Sequence, residues 1–164
     1  MKKIALAALA MAAIGAQAAD EGAYVGLNTN HVKLSCDTCT GSAQNAVGMY
    51  GGYRMGAIAG EVSRFQKTDE FGVKLVITDF VAIPRYNVAK DVDLLGKIGI
   101  RHAEVSDSTE KFTGNSLVVG VGMEYTLMPQ VAVRAMVDYS NKTLKVFDQS
   151  IKATTTTVGV AYKF

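Results

Sequence analysis

The 164-residue sequence contains no tryptophan, two cysteines and two prolines, and its formal net charge is only +2. The near balance of charge argues against a partnership with nucleic acid, because that binding depends on many contacts between Lys or Arg and phosphate. After the first 18 residues, no apolar run approaches the ~20 residues that a transmembrane helix requires. Hydrophobic residues nevertheless make up 49% of the chain, and few prolines interrupt them.

The amino-terminal segment has the features of a Sec-type signal peptide. Lys2 and Lys3 supply positive charge, residues 4–14 form a short apolar run, and Ala16-Gln17-Ala18 places small residues where signal peptidase cleaves. An uncleaved membrane anchor is the alternative. We expect residues 1–18 to be removed and residues 19–164 to form one exported domain with equal numbers of basic and acidic residues.

Apolar residues alternate with small or charged residues along most of the chain, which is typical of β-strands. In residues 117–127, one parity reads Leu, Val, Val, Met, Tyr, Leu, and the other reads Val, Gly, Gly, Glu, Thr. The pattern predicts eight strands, at residues 23–32, 45–54, 56–66, 72–88, 92–105, 115–127, 131–142 and 151–164.

Strand length and loop rhythm favour a membrane barrel over a soluble sandwich. Soluble strands average about 5–6 residues, whereas tilted membrane strands need about 9–11, as most of these have. Short connections near residues 54–56, 89–91 and 128–130 alternate with longer polar ones at 33–44, 67–70, 106–113 and 142–150. The predicted fold is all-β: an eight-stranded antiparallel up-and-down transmembrane β-barrel with both termini on the short-turn side.

The fourth predicted strand is irregular. Its apolar parity changes between Val73-Leu75-Ile77 and Phe80-Ala82-Pro84. A change of parity reverses the face that carries the apolar side chains. We therefore expect a β-bulge in this strand, or a strand that extends beyond the membrane.

Aromatic residues collect at predicted strand ends on the short-turn side. An aromatic ring with a polar hydroxyl suits the boundary between lipid and water. The sequence therefore predicts an outward aromatic girdle made of Tyr24, Tyr53, Tyr86, Tyr125, Tyr162 and Phe164.

The chain resembles the OmpA-like transmembrane domain, a family of small eight-stranded outer-membrane β-barrels. The residues that carry the resemblance are Gly48–Tyr53, Gly60-Glu61, Asp91–Gly99, Gly120–Tyr125, Met128–Gln130 and Val133-Arg134. The resemblance implies a Gram-negative-type outer membrane, with lipid and lipopolysaccharide around the barrel. It also implies that Tyr162 and Phe164 form the signal that the barrel-assembly machinery reads.

Charged residues on the small-residue parity are predicted to face the lumen: Glu61, Lys97, Arg101, Glu124, Arg134 and Asp138, with Asp79 and Arg85 as further candidates. An eight-stranded lumen has room only for its own side chains, so these acids and bases must pair. The resemblance implies a Glu61–Arg134 pair and a fourth-strand partner for Glu124. Ile83 aligns with the family's basic residue at that position, and Lys97 or Arg85 would have to substitute.

These lumen charges are predicted to plug the barrel. The alternatives are a gate that opens a small pore when pairs exchange, and a catalytic acid–base pair. Cys36 and Cys39 are predicted to form a disulfide in an external loop. Redox activity, metal binding and free thiols are alternatives, although Thr40-Gly41-Ser42 offers no helix start for a redox site.

We expect no enzymatic activity, no cofactor and no bound metal. His31 with Ser35, and His102 with Ser106, come nearest to the His–Ser arrangement of a lipid-A deacylase, in which the two residues lie two apart. Lys33 intervenes between His31 and Ser35 with no acid placed, and Ser106 lies four residues after His102, beyond Ala103 and Glu104. The predicted function is a structural, envelope-integrity or adhesin-like role, with external loops that recognise a host or surface ligand. A narrow ion-conducting pore, a lipid-A-modifying enzyme and a soluble periplasmic lipid-binding barrel are the alternatives.

Overall fold

The structure is a computed structural model that describes residues 21–36, 39–68, 73–106, 111–146 and 149–164. The predicted signal peptide, residues 1–18, lies outside these ranges. Within them, no helix has the length and apolar character needed to cross a membrane.

Eight antiparallel strands form one closed sheet in which each strand pairs with its neighbours in sequence. Pairing between β1 and β8 joins the two ends of the sheet. The strands are β1 Glu21–Cys36, β2 Cys39–Met55, β3 Ile58–Thr68, β4 Lys74–Ala89, β5 Val92–Ser106, β6 Lys111–Met128, β7 Val131–Val146 and β8 Gln149–Lys163. The predicted eight-stranded antiparallel barrel is confirmed.

The outer face of the wall is apolar and the inner face is charged, as the sequence predicts for a membrane barrel. Large apolar side chains point outward, and Leu27 and Val121 are each 67% exposed. Charged side chains point inward, and Arg101 and Glu124 are 0% and 2% exposed. A soluble lipid-binding barrel would place its apolar face inside and its charges in water, so this arrangement favours lipid around the outer wall.

The strands are longer on the loop side than the sequence predicts. β1 runs to Cys36 and β2 begins at Cys39, so most of the loop predicted at residues 33–44 is paired strand. β7 and β8 extend in the same way through most of residues 142–150. These segments are short and mostly polar, with few apolar residues such as Leu34, Leu144 and Val146, so hydrophobic periodicity gives only a weak strand signal although the backbone pairing continues.

The bulge predicted where the parity of β4 changes, between residues 77 and 80, is wrong. β4 keeps one register against β3 from the Thr68–Lys74 pair to the Ile58–Pro84 pair. Leu75 and Ile77 point inward and belong to an apolar cluster inside the barrel. The apolar parity changes because the loop-side half of β4 contributes to an interior apolar cluster, while the other half faces lipid.

Tyr50 of β2 packs over Gly26, its register partner on the adjacent strand β1. A Cβ added to Gly26 would lie 2.3 Å from Cζ of Tyr50 and 2.6 Å from the carbonyl oxygen of Val160. The tyrosine ring therefore occupies the place of the missing side chain, and the narrow interior is filled by this pairing of large with small residues.

We expect Gly26→Ala to lower the free energy of unfolding by about 1–3 kcal/mol, because the new methyl group overpacks the lumen against Tyr50 and a fixed backbone oxygen. Gly60→Ala is the matched control, since nothing lies within 4 Å of a Cβ at Gly60. Urea unfolding in lipid vesicles, followed by heat-modifiable gel mobility, measures both variants. Equal losses for the two variants would contradict the packing argument.

Candidate functional site: the charged lumen

Four charged residues form a cluster in the loop-side half of the lumen: Asp79 of β4, Lys97 and Arg101 of β5, and Asp138 of β7. Arg101 donates to Asp79 from Nε and Nη2, each at 2.8 Å, and from Nη2 to Asp138 at 2.7 Å. Nζ of Lys97 contacts the same two carboxylates at 2.8 Å and 2.9 Å. This loop-side cluster therefore contains two cations and two anions that share partners.

A second cluster, the turn-side cluster, comprises Glu61 of β3, Arg85 of β4, Glu124 of β6 and Arg134 of β7. Arg134 donates from Nη1 to Glu61. Its Nε and Nη2 also bind Oε2 of Glu124, at 3.1 Å and 3.0 Å. Arg85 donates to the other carboxylate oxygen of Glu124. Glu124 thus lies between two arginines from different strands.

Three residues extend the turn-side cluster to the mouth of the barrel. Nζ of Lys163 lies 3.1 Å from Oε1 of Glu124. Asp93 accepts from Nη2 of Arg85 at 3.0 Å and lies 3.6 Å from Nη1 of Arg54. The charges form a chain from the middle of the lumen to its turn-side end, where water can reach Lys163.

Arg85 supplies the fourth-strand base for Glu124 that the resemblance implies. The position aligned with the family's base, Ile83, is a fully buried apolar residue on the same face, two residues earlier in β4. Lys97, the other candidate, belongs to the loop-side cluster instead. The basic residue has therefore moved along the strand by one inward position.

Tyr24 does not belong to an outward girdle, contrary to the sequence prediction. It is 5% exposed and its hydroxyl donates to Oε2 of Glu61 at 2.7 Å. The guanidinium of Arg134 lies over two tyrosine rings, 5.5 Å from that of Tyr24 and 4.8 Å from that of Tyr50. Such cation–π contacts favour a desolvated arginine. Tyr24 shares its parity with Asn28 and Asn30, which was the signal for an inward position.

The other five residues assigned to the girdle are exposed on the outer wall. Tyr162 and Phe164 make an edge-to-face contact with ring centroids 5.2 Å apart. The exposed aromatic residues at the turn-side ends of the strands are Tyr53, Tyr86, Tyr125, Tyr162 and Phe164.

An apolar cluster lies inside the barrel on the loop side of the loop-side charge cluster. Phe65 forms its largest side chain, and the other buried members are Val32, Ala46, Leu75, Ile77 and Ala103. Between the two charge clusters the lumen retains a cavity of about 20 Å³, which is close to the space that one water molecule requires. The hydroxyl of Tyr50, a residue that lines this cavity, is buried without a hydrogen-bond partner among the described residues.

Sequence reasoning missed several polar partners of the lumen charges. Ser140 and Thr155 accept hydrogen bonds from Nη1 of Arg101 at 3.2 Å and 3.1 Å. Asp93 and Lys163 were also missed. All four share the parity of inward residues on their strands, so extending the alternation to uncharged polar residues and strand ends would have found them.

The predicted cysteine pair and the two histidines do not belong to the charge clusters that the structure describes. The side chains of Cys36 and Cys39 lie outside the described part of the structure, and so does the predicted disulfide. His31 and His102 point outward, where Nδ1 of each ring lies 2.8 Å and 2.7 Å from the side-chain oxygen of Asn45 and Asn115, respectively. Each of these two histidines is thus engaged with an amide on the neighbouring strand.

A closed sheet with an apolar outer wall and a paired, charged interior defines a β-barrel that crosses a membrane with its strands. The model of the family described as the outer membrane protein beta-barrel domain matches residues 4–164. The chain belongs to this family and is a small outer-membrane protein, which confirms the resemblance to the OmpA-like barrels. A search of curated proteins gave no match.

Three solved outer-membrane proteins have similar folds. Ail, the attachment invasion locus protein of Yersinia pestis, in complex with the heparin analogue sucrose octasulfate, is 17% identical over 88% of this chain and 99% of its own, with a TM-score of 0.66. Neisserial surface protein A is 21% identical over 87% and 97%, with a TM-score of 0.68. OprG of Pseudomonas aeruginosa is 11% identical over 88% and 97%, with a TM-score of 0.62. At these identities the likeness concerns the fold.

We expect Arg101→Met to lower the free energy of unfolding by about 3–5 kcal/mol, because it leaves Asp79 and Asp138 buried with only Lys97 to balance them. Lys111→Met is the control, since it removes an exposed ion pair with Glu104 and should change stability by at most about 1 kcal/mol. Urea unfolding in vesicles provides the comparison. A small loss for Arg101→Met would contradict the assigned role of the cluster.

Proposed function

We propose that this protein acts at the cell surface as a closed barrel, with a structural and surface-contact role, and does not act as a conduit. The filled lumen is the observation that supports this proposal most directly. The interior contains two charge clusters, an apolar cluster around Phe65 and, between the charge clusters, a cavity large enough for about one water molecule.

The plug that we propose has three parts in series. A solute entering from the loop side meets the apolar cluster, then the loop-side cluster, then the turn-side cluster. Breaking a buried ion pair by loss of one partner costs about 3–5 kcal/mol. Because partners are shared within each cluster, passage of a solute requires several such contacts to change together.

The loop side of the barrel offers the surface for contact. β1 continues seven residues beyond Thr29 to Cys36, which is about 23 Å along the strand. Its pairing with β2 extends the hairpin over this length. The polar and charged residues at 67–70, 106–111 and 141–143 suit recognition of a polar ligand. The names of two proteins of similar fold support the proposal. One is Neisserial surface protein A, and the other is an attachment protein crystallised with a heparin analogue.

Export, assembly and orientation complete the proposal. Residues 1–18 direct export, and the loop side faces outward, as in other outer-membrane barrels with longer external connections. Tyr162 and Phe164 serve as the assembly signal. In the finished barrel the backbone N–H of Phe164 donates to the carbonyl oxygen of Ala23 at 3.0 Å. The five exposed aromatic residues anchor the turn-side rim at the lipid boundary.

We expect cells that display the protein to adhere to a surface coated with sulfated glycan more strongly than cells without it. Replacing residues 107–110 by Asn-Gly should weaken adhesion at least severalfold. Ser106 and Lys111 are register partners, so a two-residue turn of this type closes the hairpin without disturbing the barrel. Lys90→Gln, on the turn side, is the control.

Adhesion is measured as cells retained after washing, with equal surface levels of protein verified first. Equal retention with and without the protein on glycan and on other host-matrix coatings would overturn the contact role. Equal retention by the shortened-loop and Lys90→Gln variants would assign adhesion to another part of the surface.

A narrow pore is the second candidate, and the shared position of Arg134 favours it. This arginine contacts both Glu61 and Glu124, so exchange of partners offers a route to an open state. Under the closed-barrel proposal, planar bilayers should show no conductance for the wild type. Arg134→Glu should create or enlarge a leak, because it adds a carboxylate to the lumen and removes the cation that pairs with Glu61. Steady single-channel conductance in the wild type would favour the pore.

A further inference from the structure

On each of the eight strands, the outward-facing residues change from apolar to polar toward the loop side. On the turn side of this change lie outward apolar residues such as Val62, Phe80, Ile100 and Leu117. The next outward position toward the loop side is polar on every strand. These residues form a ring, one from each strand in order: Thr29, Asn45, Arg64, Thr78, His102, Asn115, Asn141 and Thr156.

Arg64 is the exceptional member of this polar ring. It is exposed and outward-facing, and among the described residues it has no ion-pair partner. The chain's other four arginines point into the lumen or its mouth and form ion pairs with carboxylates: Arg54, Arg85, Arg101 and Arg134. A full positive charge therefore lies on the outer wall directly beside the apolar belt.

Polar neighbours lie beside Arg64 along the sheet. Register pairs join Arg64 to Thr78, Thr78 to His102, and His102 to Asn115. Side chains directly opposite each other on adjacent strands lie about 5 Å apart. The four side chains therefore form a continuous polar row across β3 to β6, and Nδ1 of His102 lies 2.7 Å from Oδ1 of Asn115.

The position of Arg64 and its chemistry together indicate a ligand. A lipid-facing arginine is costly at the middle of the bilayer and nearly neutral at its edge, so Arg64 locates the edge of the hydrocarbon. Phosphates of membrane lipids lie at that edge. The planar guanidinium binds two phosphate oxygens at once, and the hydroxyl of Thr78 lies beside it as a further donor. Glu104, a carboxylate on the same face of β5, is paired with Lys111 at 3.0 Å.

We infer that Arg64 and Thr78, flanked by His102 and Asn115, form a headgroup site on the outer wall for the phosphate of an outer-leaflet lipid of the lipid-A type. The inference rests on the loop-outward orientation of the proposed function. It does not depend on surface adhesion, and the two are tested separately.

The test titrates the refolded full-length barrel, in a zwitterionic detergent, with bisphosphorylated lipid A and with lipid A stripped of phosphate. Native mass spectrometry counts bound lipids. The wild type should bind the phosphorylated lipid about tenfold more tightly than the stripped lipid. Arg64→Gln should lose this preference, because it removes the charge and the paired donors. Arg64→Lys should retain part of this preference, since lysine keeps the positive charge but lacks the paired donors of the planar guanidinium.

Lys33→Gln is the matched control, because it removes one positive charge from an exposed outward residue on β1, which is separated from β3 by one strand and lies outside the polar row. It should change lipid A binding less than twofold. Equal binding of both lipids by the wild type, equal losses in Arg64→Gln and Lys33→Gln, or displacement of the lipid by an equal concentration of inorganic phosphate would each overturn the site. Heat-modifiable mobility verifies that every variant is folded. If the protein prefers the phosphorylated lipid but cells that display it do not adhere, the lipid site stands and only the proposed surface-contact role is overturned.

Discussion

The closed ring of backbone hydrogen bonds is the constraint on which the rest of this structure depends. Hydrocarbon offers no partner for a free N–H or C=O group, so a strand-built membrane protein must close its sheet. Closure with eight strands leaves an interior that side chains fill completely. The pairing of β1 with β8 therefore fixes more than the outline of the molecule. It sets a lumen so narrow that glycines must face tyrosines, as at Gly26 and Tyr50, and that every interior charge must find a partner.

The lumen meets the second requirement by sharing partners. In the loop-side cluster, Arg101 and Lys97 each contact both Asp79 and Asp138, and in the turn-side cluster Glu124 is contacted by Arg85, Arg134 and Lys163. Sharing keeps each cluster close to neutral while several strands are tied across the interior. A buried ion pair is weak evidence for net stability compared with apolar packing, but loss of one member is strongly destabilising. The arrangement therefore specifies which strands meet across the lumen, whatever it adds to the total stability.

Much of this was predictable from the sequence, because a barrel wall converts the period of two into inside and outside. The strand number and the inward positions of Glu61, Arg101 and Glu124 follow from that period, and strand length and loop rhythm indicate the closed topology. The period of two does not assign a residue to the inner or outer face where the two faces have the same polarity. Tyr24 is apolar in its ring and polar at its hydroxyl, so its composition suits both the girdle and the lumen. Leu75 and Ile77 are apolar residues on an inward face, and their parity led to the incorrect prediction of a β-bulge. The partner of Glu124 depends on which basic side chain is long enough to contact it across the lumen. The sequence pattern does not contain this three-dimensional information.

A filled lumen leaves the outer surfaces as the places where this barrel can meet other molecules, and those surfaces differ in chemistry. The loop-side hairpins extend polar strands into the aqueous phase, where contacts are weak singly and specificity needs several of them. The polar ring lies at the edge of the hydrocarbon, where the local dielectric is lower and a single arginine forms stronger charge-assisted hydrogen bonds than it does in water. Four of the five arginines satisfy interior carboxylates, and the fifth, Arg64, lies where the anions are supplied by the membrane itself. The same residue type thus stabilises the barrel from within and, by our inference, fixes its depth in the bilayer from without.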